Sequence, residues 1–298
     1  MQAVIELAGA TWVAWWGAWE LFRDPIVVGG VAGGVLGLLG VLVVLRRMVF
    51  AVAALAQAAG CGVACAFFLE IHTGLPSLLT APRAWSLGLT LLATAALRWP
   101  GRRVLTRESV LALLYLLGAA GALLLGTRIT QEAHDIEAIL FGSAVVVSSL
   151  DVGLVLGGGG IILALMLAWQ RGFWFASLDP DAARVRGVPV AALDLLFLLM
   201  LAVFVSITTR ALGVLPVFAF SVLPAVAAIA VCRTPLSTAL TATGLGVFAG
   251  VGGYFLAFLA AFPVGASQTL FAGALVFLAF LLRLLQGGRP ITQRSGSI

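Results

Sequence analysis

PIVVGGVAGGVLGLLGVLVVLRR, residues 25–47, sets an uncharged apolar run from Pro25 to Leu45 directly before two arginines. A helix needs about 20 apolar residues to cross the hydrocarbon of a bilayer, and Arg46–Arg47 mark an end that stays in water. The same reading extends outward along the chain. Apolar runs at about 49–69, 84–99, 109–126, 152–170, 192–209, 214–231, 237–261 and 267–285 complete nine predicted spans. Of 298 residues, 62% are hydrophobic and 10% charged, against roughly a quarter charged in soluble domains. Lipid is therefore the solvent. Long polar/apolar alternation is absent, which argues against a β-barrel and leaves helices to satisfy the backbone. The predicted fold class is all-α, a polytopic integral membrane helical bundle of about nine transmembrane helices.

Charge sets the expected orientation. One set of gaps holds Arg46 and Arg47, then Arg98, Arg102, Arg103 and Arg107, then Arg171, Arg184 and Arg186, then Arg233, and finally Arg283, Arg289 and Arg294. The alternate gaps hold Glu70, His72 and Arg83, then Arg128, Glu132, His134, Asp135 and Glu137, then Arg210. The first set is strongly basic and is predicted to be cytoplasmic, at the lipid headgroups. Because the basic residues are dispersed, they point to membrane topology, and no nucleic-acid partner is expected. Residues 1–24, with Trp12, Trp15, Trp16 and Trp19, are predicted as an interfacial helix. Residues 25–286 form the transmembrane domain and 287–298 a disordered cytoplasmic tail. The opening residues, with Glu6 early and no basic leader, do not pattern as a cleavable signal peptide. The apolar stretch 139–149 is too short to span and is expected as a re-entrant or surface helix. Gly157–Gly160 is read as a kink or a point of close packing.

The chemistry of catalysis is missing. There is no Gly-x-x-x-x-Gly-Lys-Ser/Thr loop for phosphates, no His-Glu-x-x-His and no Cys-x-x-Cys, and two histidines cannot build a hydrolytic triad. The chain is read as a non-enzyme without a cofactor. Cys61, Cys65 and Cys232 imply no disulfide framework. Two features remain. Ala53, Gln57, Cys61 and Cys65 follow at intervals of four and share one face of the second span. An amide there faces the bundle or a pore, and the thiols serve either as soft ligands or as small packing groups. In LDPDAARVRGVP, residues 178–189, Asp179 can cap a helix with Pro180 and Asp181 in its first turn, and Gly187 with Pro189 ends it. Asp151 and Asp194 are read as capping or interfacial.

Three segments in order resemble the permeases of metal-type ABC importers, the zinc, manganese and iron family. LLGVLVVLRRMVF, residues 38–50, is similar to that family's G-x-x-V-V-L-R-R-M-x-F. LDPDAARVRGVP is similar to its F-D-P-E-x-A-x-x-x-G-V. GVLPVFAFSVLPAVA, residues 213–227, is similar to its V-G-x-L-L-V-x-A-L-L-x-x-P-A-A-x-A. Leu140-Phe141-Gly142 matches its L-F-G. The resemblance implies an ABC permease for divalent metal ions in a bacterial inner membrane. It also implies a dimer with a second copy or a related permease, cytoplasmic ATP-binding subunits and an extracytoplasmic solute-binding protein. Asp179, Pro180, Ala183, Arg184, Arg186 and Gly187 are then expected to form the coupling helix to the ATPase, with Gln57, Cys61 and Cys65 along the translocation path. After R-R-M-x-F the family carries an Asp and a His one turn apart, where this chain has Ala53 and Gln57, and Ser143 replaces the acidic residue after L-F-G. No protein metal site is predicted. Another small solute or metal complex, a non-transporting scaffold, and a secondary transporter stand as alternatives.

Overall fold

The computed structural model describes residues 19–73, 76, 79–98, 106–128 and 147–285. Those residues are mostly helical, with no strand among them. The helices are α1 (Trp19–Leu45), α2 (Val49–Thr73), α3 (Pro82–Leu97), α4 (Arg107–Arg128), α5 (Ser149–Ala168), α6 (Gln170–Leu178), α7 (Pro180–Val185), α8 (Val190–Leu212), α9 (Val214–Val231), α10 (Pro235–Ala260) and α11 (Val264–Leu285). All but α3, α6 and α7 are long and apolar enough to cross a membrane. The 16 residues of α3 reach only ~24 Å at 1.5 Å per residue, but α3 packs against α2 and α8 inside the bundle. It completes an all-α bundle of about nine spanning elements.

Local chemistry sets the helix ends. Pro82 and Pro235 open α3 and α10 at positions where no backbone N–H is needed. Thr234 and Ser237 bond reciprocally in a capping box. Gly213, at φ 92°, breaks the chain between α8 and α9, a left-handed conformation that only glycine adopts freely. Helix α1 begins by Trp19 and runs unbroken through Pro25. The remainder of the expected interfacial segment, the 129–146 stretch with Leu140-Phe141-Gly142 and Ser143, and the 287–298 tail lie outside the described residues. The expected inner-side segment after 170 contains a helix that the apolar pattern does not reveal. A single non-helical residue, Trp169 at φ −112°, separates α6 from α5.

Helices α1, α2, α8 and α9 supply most of the core, with Leu36, Leu39, Leu55, Phe197, Phe204 and Phe220 fully buried. Exposed leucines cover α4 and α11, including Leu116, Leu117, Leu124, Leu270 and Leu284. Apolar side chains on the outside and small residues where helices cross closely are the arrangement lipid demands. Helix α1 packs most extensively on α10. A Cβ added at Gly33 would fall on the Gly246 carbonyl, and one added at Gly250 on that of Gly29. Gln268, fully buried on α11, donates from Nε2 to the Gly250 carbonyl at 3.0 Å and closes this junction. The glycine run in α5 is a packing point within a continuous helix. Gly159 would bring a Cβ to 3.3 Å from Val31 and Val35, while Gly157 and Gly160 face open space.

Candidate functional site

The predicted coupling segment is a capped helix presented at one end of the bundle. Asp179 accepts a hydrogen bond from the Ala182 N–H at 2.9 Å, satisfying one of the donors that a helix start leaves free. Asp181 in the first turn and Arg184 in the last suit the helix dipole, and they pair at 2.7 Å. Gly187, at φ +77°, reverses the chain. The Gly187 and Val188 N–H groups then bond back to the Arg184 and Ala183 carbonyls, each at 3.0 Å. Ala183 is fully buried and fixes the helix to the bundle, while Val185 is 89% exposed. Asp179, Pro180, Arg184, Arg186 and Gly187 all remain exposed. The Arg186 guanidinium lies 5.4 Å from the Phe175 ring centre, within cation–π range.

Arg46 ties this segment to the spans. Its Nη1 meets the Asp194 carboxylate at 2.6 Å, and its Nε donates to Ser177 Oγ at 2.8 Å. Its guanidinium also stacks 4.5 Å from the centre of Phe197. One side chain thus joins the end of α1, the end of α6 and the start of α8. Burial presses the Arg46 pKa below its ordinary value, and the Asp194 charge pulls it back up. The sequence marks Arg46 only as a topology signal and Asp194 as interfacial. A lone carboxylate four residues into an apolar helix is the available signal for a partner, although sequence spacing cannot name that partner.

Gln57, Cys61 and Cys65 do share one face of α2, as their spacing predicts, and all three are half-buried. Helix α4 covers this face, and the glycines of α4 admit it. A Cβ at Gly118 would meet the Gln57 carbonyl carbon at 2.9 Å, and one at Gly121 would meet Cys61 Sγ at 2.8 Å. A cavity of about 240 Å³ beside Cys61 opens between α2, α3 and α4. Gln57 Oε1 is buried without a hydrogen-bond partner. Among the described residues, no group of three or more His, Cys, Asp or Glu side chains could hold a metal. At the opposite end of the bundle from Arg46, His72 is exposed and stacked on Phe68, while His134 and its acidic neighbours lie outside the described residues.

A second ionic junction, not foreseen, also lies at that end. Asp151, 6% exposed, meets Arg83 Nε at 3.0 Å and Arg210 Nη1 at 3.8 Å. Ser148 caps α5 and donates to the same carboxylate at 2.9 Å. The junction joins the starts of α3 and α5 to the end of α8.

Comparison with known proteins agrees with this architecture. "Manganese transport system membrane protein MntC" of Halalkalibacterium halodurans is 26% identical over 271 residues, covering 91% of this chain and 90% of that protein. "Chelated iron transport system membrane protein YfeD" of Yersinia pestis is 28% identical over 242 residues, covering 81% and 78%. The solved structure of PsaBC from Streptococcus pneumoniae in complex with Fab superposes with a TM-score of 0.78 at 23% identity, covering 91% of this chain and 95% of that one. Residues 18–283 match the sequence model of the ABC 3 transport family, a match that takes in almost every helix described above, and the chain belongs to that family.

Proposed function

We propose that the chain is the membrane-spanning permease subunit of an importer for divalent metal ions, powered by ATP hydrolysed on partner subunits. The observation that carries this reading is the capped α7, held at the bundle end where Arg46, Arg47, Arg98 and Arg184 gather. The positive-inside rule makes that end cytoplasmic, in the inner membrane of a bacterium. ATPase subunits would grip the exposed face of α7. Closure of the ATPases would pull α6 and α7, and the Arg46 junction would pass that motion to α1 and α8. A second copy or related permease would complete a central path, and a solute-binding protein would deliver the ion from the other side. Manganese and chelated iron in the relatives' names support a metal substrate.

The test is reconstitution of the chain with its ATPase and binding protein in liposomes, measuring ATP-dependent uptake of manganese, zinc and iron. Gly187→Val is expected to reduce uptake about tenfold or more, because a β-branched residue cannot hold φ +77° without strain. Nothing lies within 4 Å of Gly187, so the bundle should stay folded and hydrolysis should continue uncoupled. Wild-type uptake by this variant would remove α7 from the mechanism. Absence of uptake of all three metals, with a stable complex that hydrolyses ATP, would overturn the metal assignment.

Gln57, Cys61 and Cys65 are proposed to line the path in the assembled dimer, after movement of α4. Gln57→Leu separates two roles. As a path residue, Gln57 is needed for uptake, which should fall about tenfold, the equivalent of one weak interaction. As a packing residue with an unpaired oxygen, its replacement would leave transport unchanged and raise stability. One observation favours a second reading, a non-transporting scaffold. Ala53 and Gln57 stand where metal permeases carry Asp and His, and among the described residues no group of three or more His, Cys, Asp or Glu side chains replaces that pair. A scaffold would assemble with the ATPase and show no flux of any solute.

A further inference from the structure

At the Arg46 end of the bundle a cavity of about 650 Å³ opens between the ends of α1 and α3, the α6–α7 pair and the start of α8. Four arginines line it, Arg46, Arg47, Arg98 and Arg184, against one carboxylate, Asp194. That carboxylate is already bound to Arg46, and Arg184 is bound to Asp181. Arg47 and Arg98 are exposed and have no ion-pair partner among the described residues. The Arg46 side chain is only 9% exposed, yet its Nη2 is buried without a hydrogen-bond partner. A buried charged donor left unpaired is costly. The cavity therefore has surplus positive charge, and the arginine beside it carries a buried donor without a partner.

Its walls are not those of a site for a free anion alone. Leu97 and Leu198 are buried, and Leu195 is partly open to the outside of the bundle, where Leu199 continues the same apolar track along α8. Arg46 directly follows the last residue of the first span, so the guanidinium groups sit at headgroup depth. Guanidinium groups bind phosphate bidentately, and basic pockets between spans at a cytoplasmic face accept lipid headgroups. We propose that this cavity binds the phosphate headgroup of an anionic phospholipid, with its acyl chains running along Leu195 and Leu199 of α8. Arg47 and Arg98 hold the phosphate, and the charge of Arg46 lies behind them. Because Pro180 and Arg184 of α7 line the same cavity, the lipid braces the α6–α7 segment against the spans. The binding site does not depend on the transport reading; a consequence for ATP coupling does.

Native mass spectrometry of the full-length chain in detergent tests the proposal, with added phosphatidylglycerol, phosphatidylcholine or inorganic phosphate. The chain is expected to retain one phosphatidylglycerol in preference to phosphatidylcholine, and millimolar inorganic phosphate should not displace it. Arg47→Gln with Arg98→Gln should weaken retention about tenfold, and Arg47→Lys with Arg98→Lys should restore part of it, because the charges return without the bidentate geometry. Both positions are exposed, and an unchanged Tm confirms that each double variant is folded. Three results would overturn the proposal. One is equal retention by the glutamine variant. Another is displacement by inorganic phosphate, which marks a free-anion site. The third is absence of phosphatidylglycerol retention by the wild-type chain; lost ATPase co-purification in the glutamine variant would then mark a contact for acidic protein side chains.

Discussion

Gly246→Val is expected to leave no stably folded chain to purify, whereas Gly244→Ala, on the same helix, should change stability by less than about 1 kcal/mol. In lipid, apolar side chains gain nothing by leaving their solvent for one another, so helices associate through close packing and hydrogen bonds. The contact between α1 and α10 is the most extensive in the bundle, and backbone makes it. Gly29, Gly33 and Gly37 follow at intervals of four on α1, opposite Ala242, Gly246 and Gly250 at the same interval on α10. A Cβ at Gly246 would land on the Gly33 carbonyl, and one at Gly37 would sit 2.6 Å from the Ala242 carbonyl oxygen. Overpacking costs about 1–3 kcal/mol where side chains can move aside. Here the obstructing atoms belong to a helix that is itself locked against α9 and α10, so a loss above about 3 kcal/mol is expected. Gly244 is exposed with nothing within 4 Å, so a methyl group there only removes the helix penalty of glycine. Yield and Tm of the detergent-purified variants decide the matter. A Gly246→Val chain with wild-type Tm would show that α1 and α10 do not touch there.

Much of this architecture is legible in the sequence because lipid imposes a local rule. A span must be apolar for its whole length, so runs such as 214–231 give the helix ends directly, and α9 occupies Val214–Val231. Capping is equally local, and the start and stop of α7 follow from Asp179, Pro180 and Gly187. Helix α6 is hidden because Phe173, Trp174 and Phe175 continue the apolar character of α5 across a single non-helical residue. Partnerships across helices are hidden for a deeper reason. Arg46 and Asp194 are 148 positions apart, and no periodicity connects them. The same limit applies to the α2 face. Intervals of four place Gln57, Cys61 and Cys65 together, but only tertiary structure shows that Gly118 and Gly121 bring α4 over them.

Asp151→Ala is expected to destabilise the chain by about 2–3 kcal/mol, the second large effect. Removing one partner of a buried ion pair costs about 3–5 kcal/mol because the other charge stays buried and unpaired. Arg83 is 39% exposed and recovers some hydration, which brings the figure down. Arg210 is 25% exposed and recovers less. The variant leaves these two guanidinium groups facing the same apolar cavity, about 340 Å³ in volume, with no charge between them. Three features separate this repulsion from simple loss of the Ser148 contact to the carboxylate. Asp151→Asn should be intermediate, since an amide keeps the Ser148 contact but not the charge. Adding Arg210→Met to Asp151→Ala should recover part of the loss by removing one of the stranded charges. High salt should narrow the gap between Asp151→Ala and wild type, because screening weakens repulsion between partly exposed charges. Thermal unfolding of the four proteins in detergent, at low and high salt, measures all three. If Arg210→Met gives no relief and salt has no effect, the loss belongs to the hydrogen bond from the Ser148 hydroxyl to the Asp151 carboxylate, and the three-helix ionic junction is not what holds that end of the bundle.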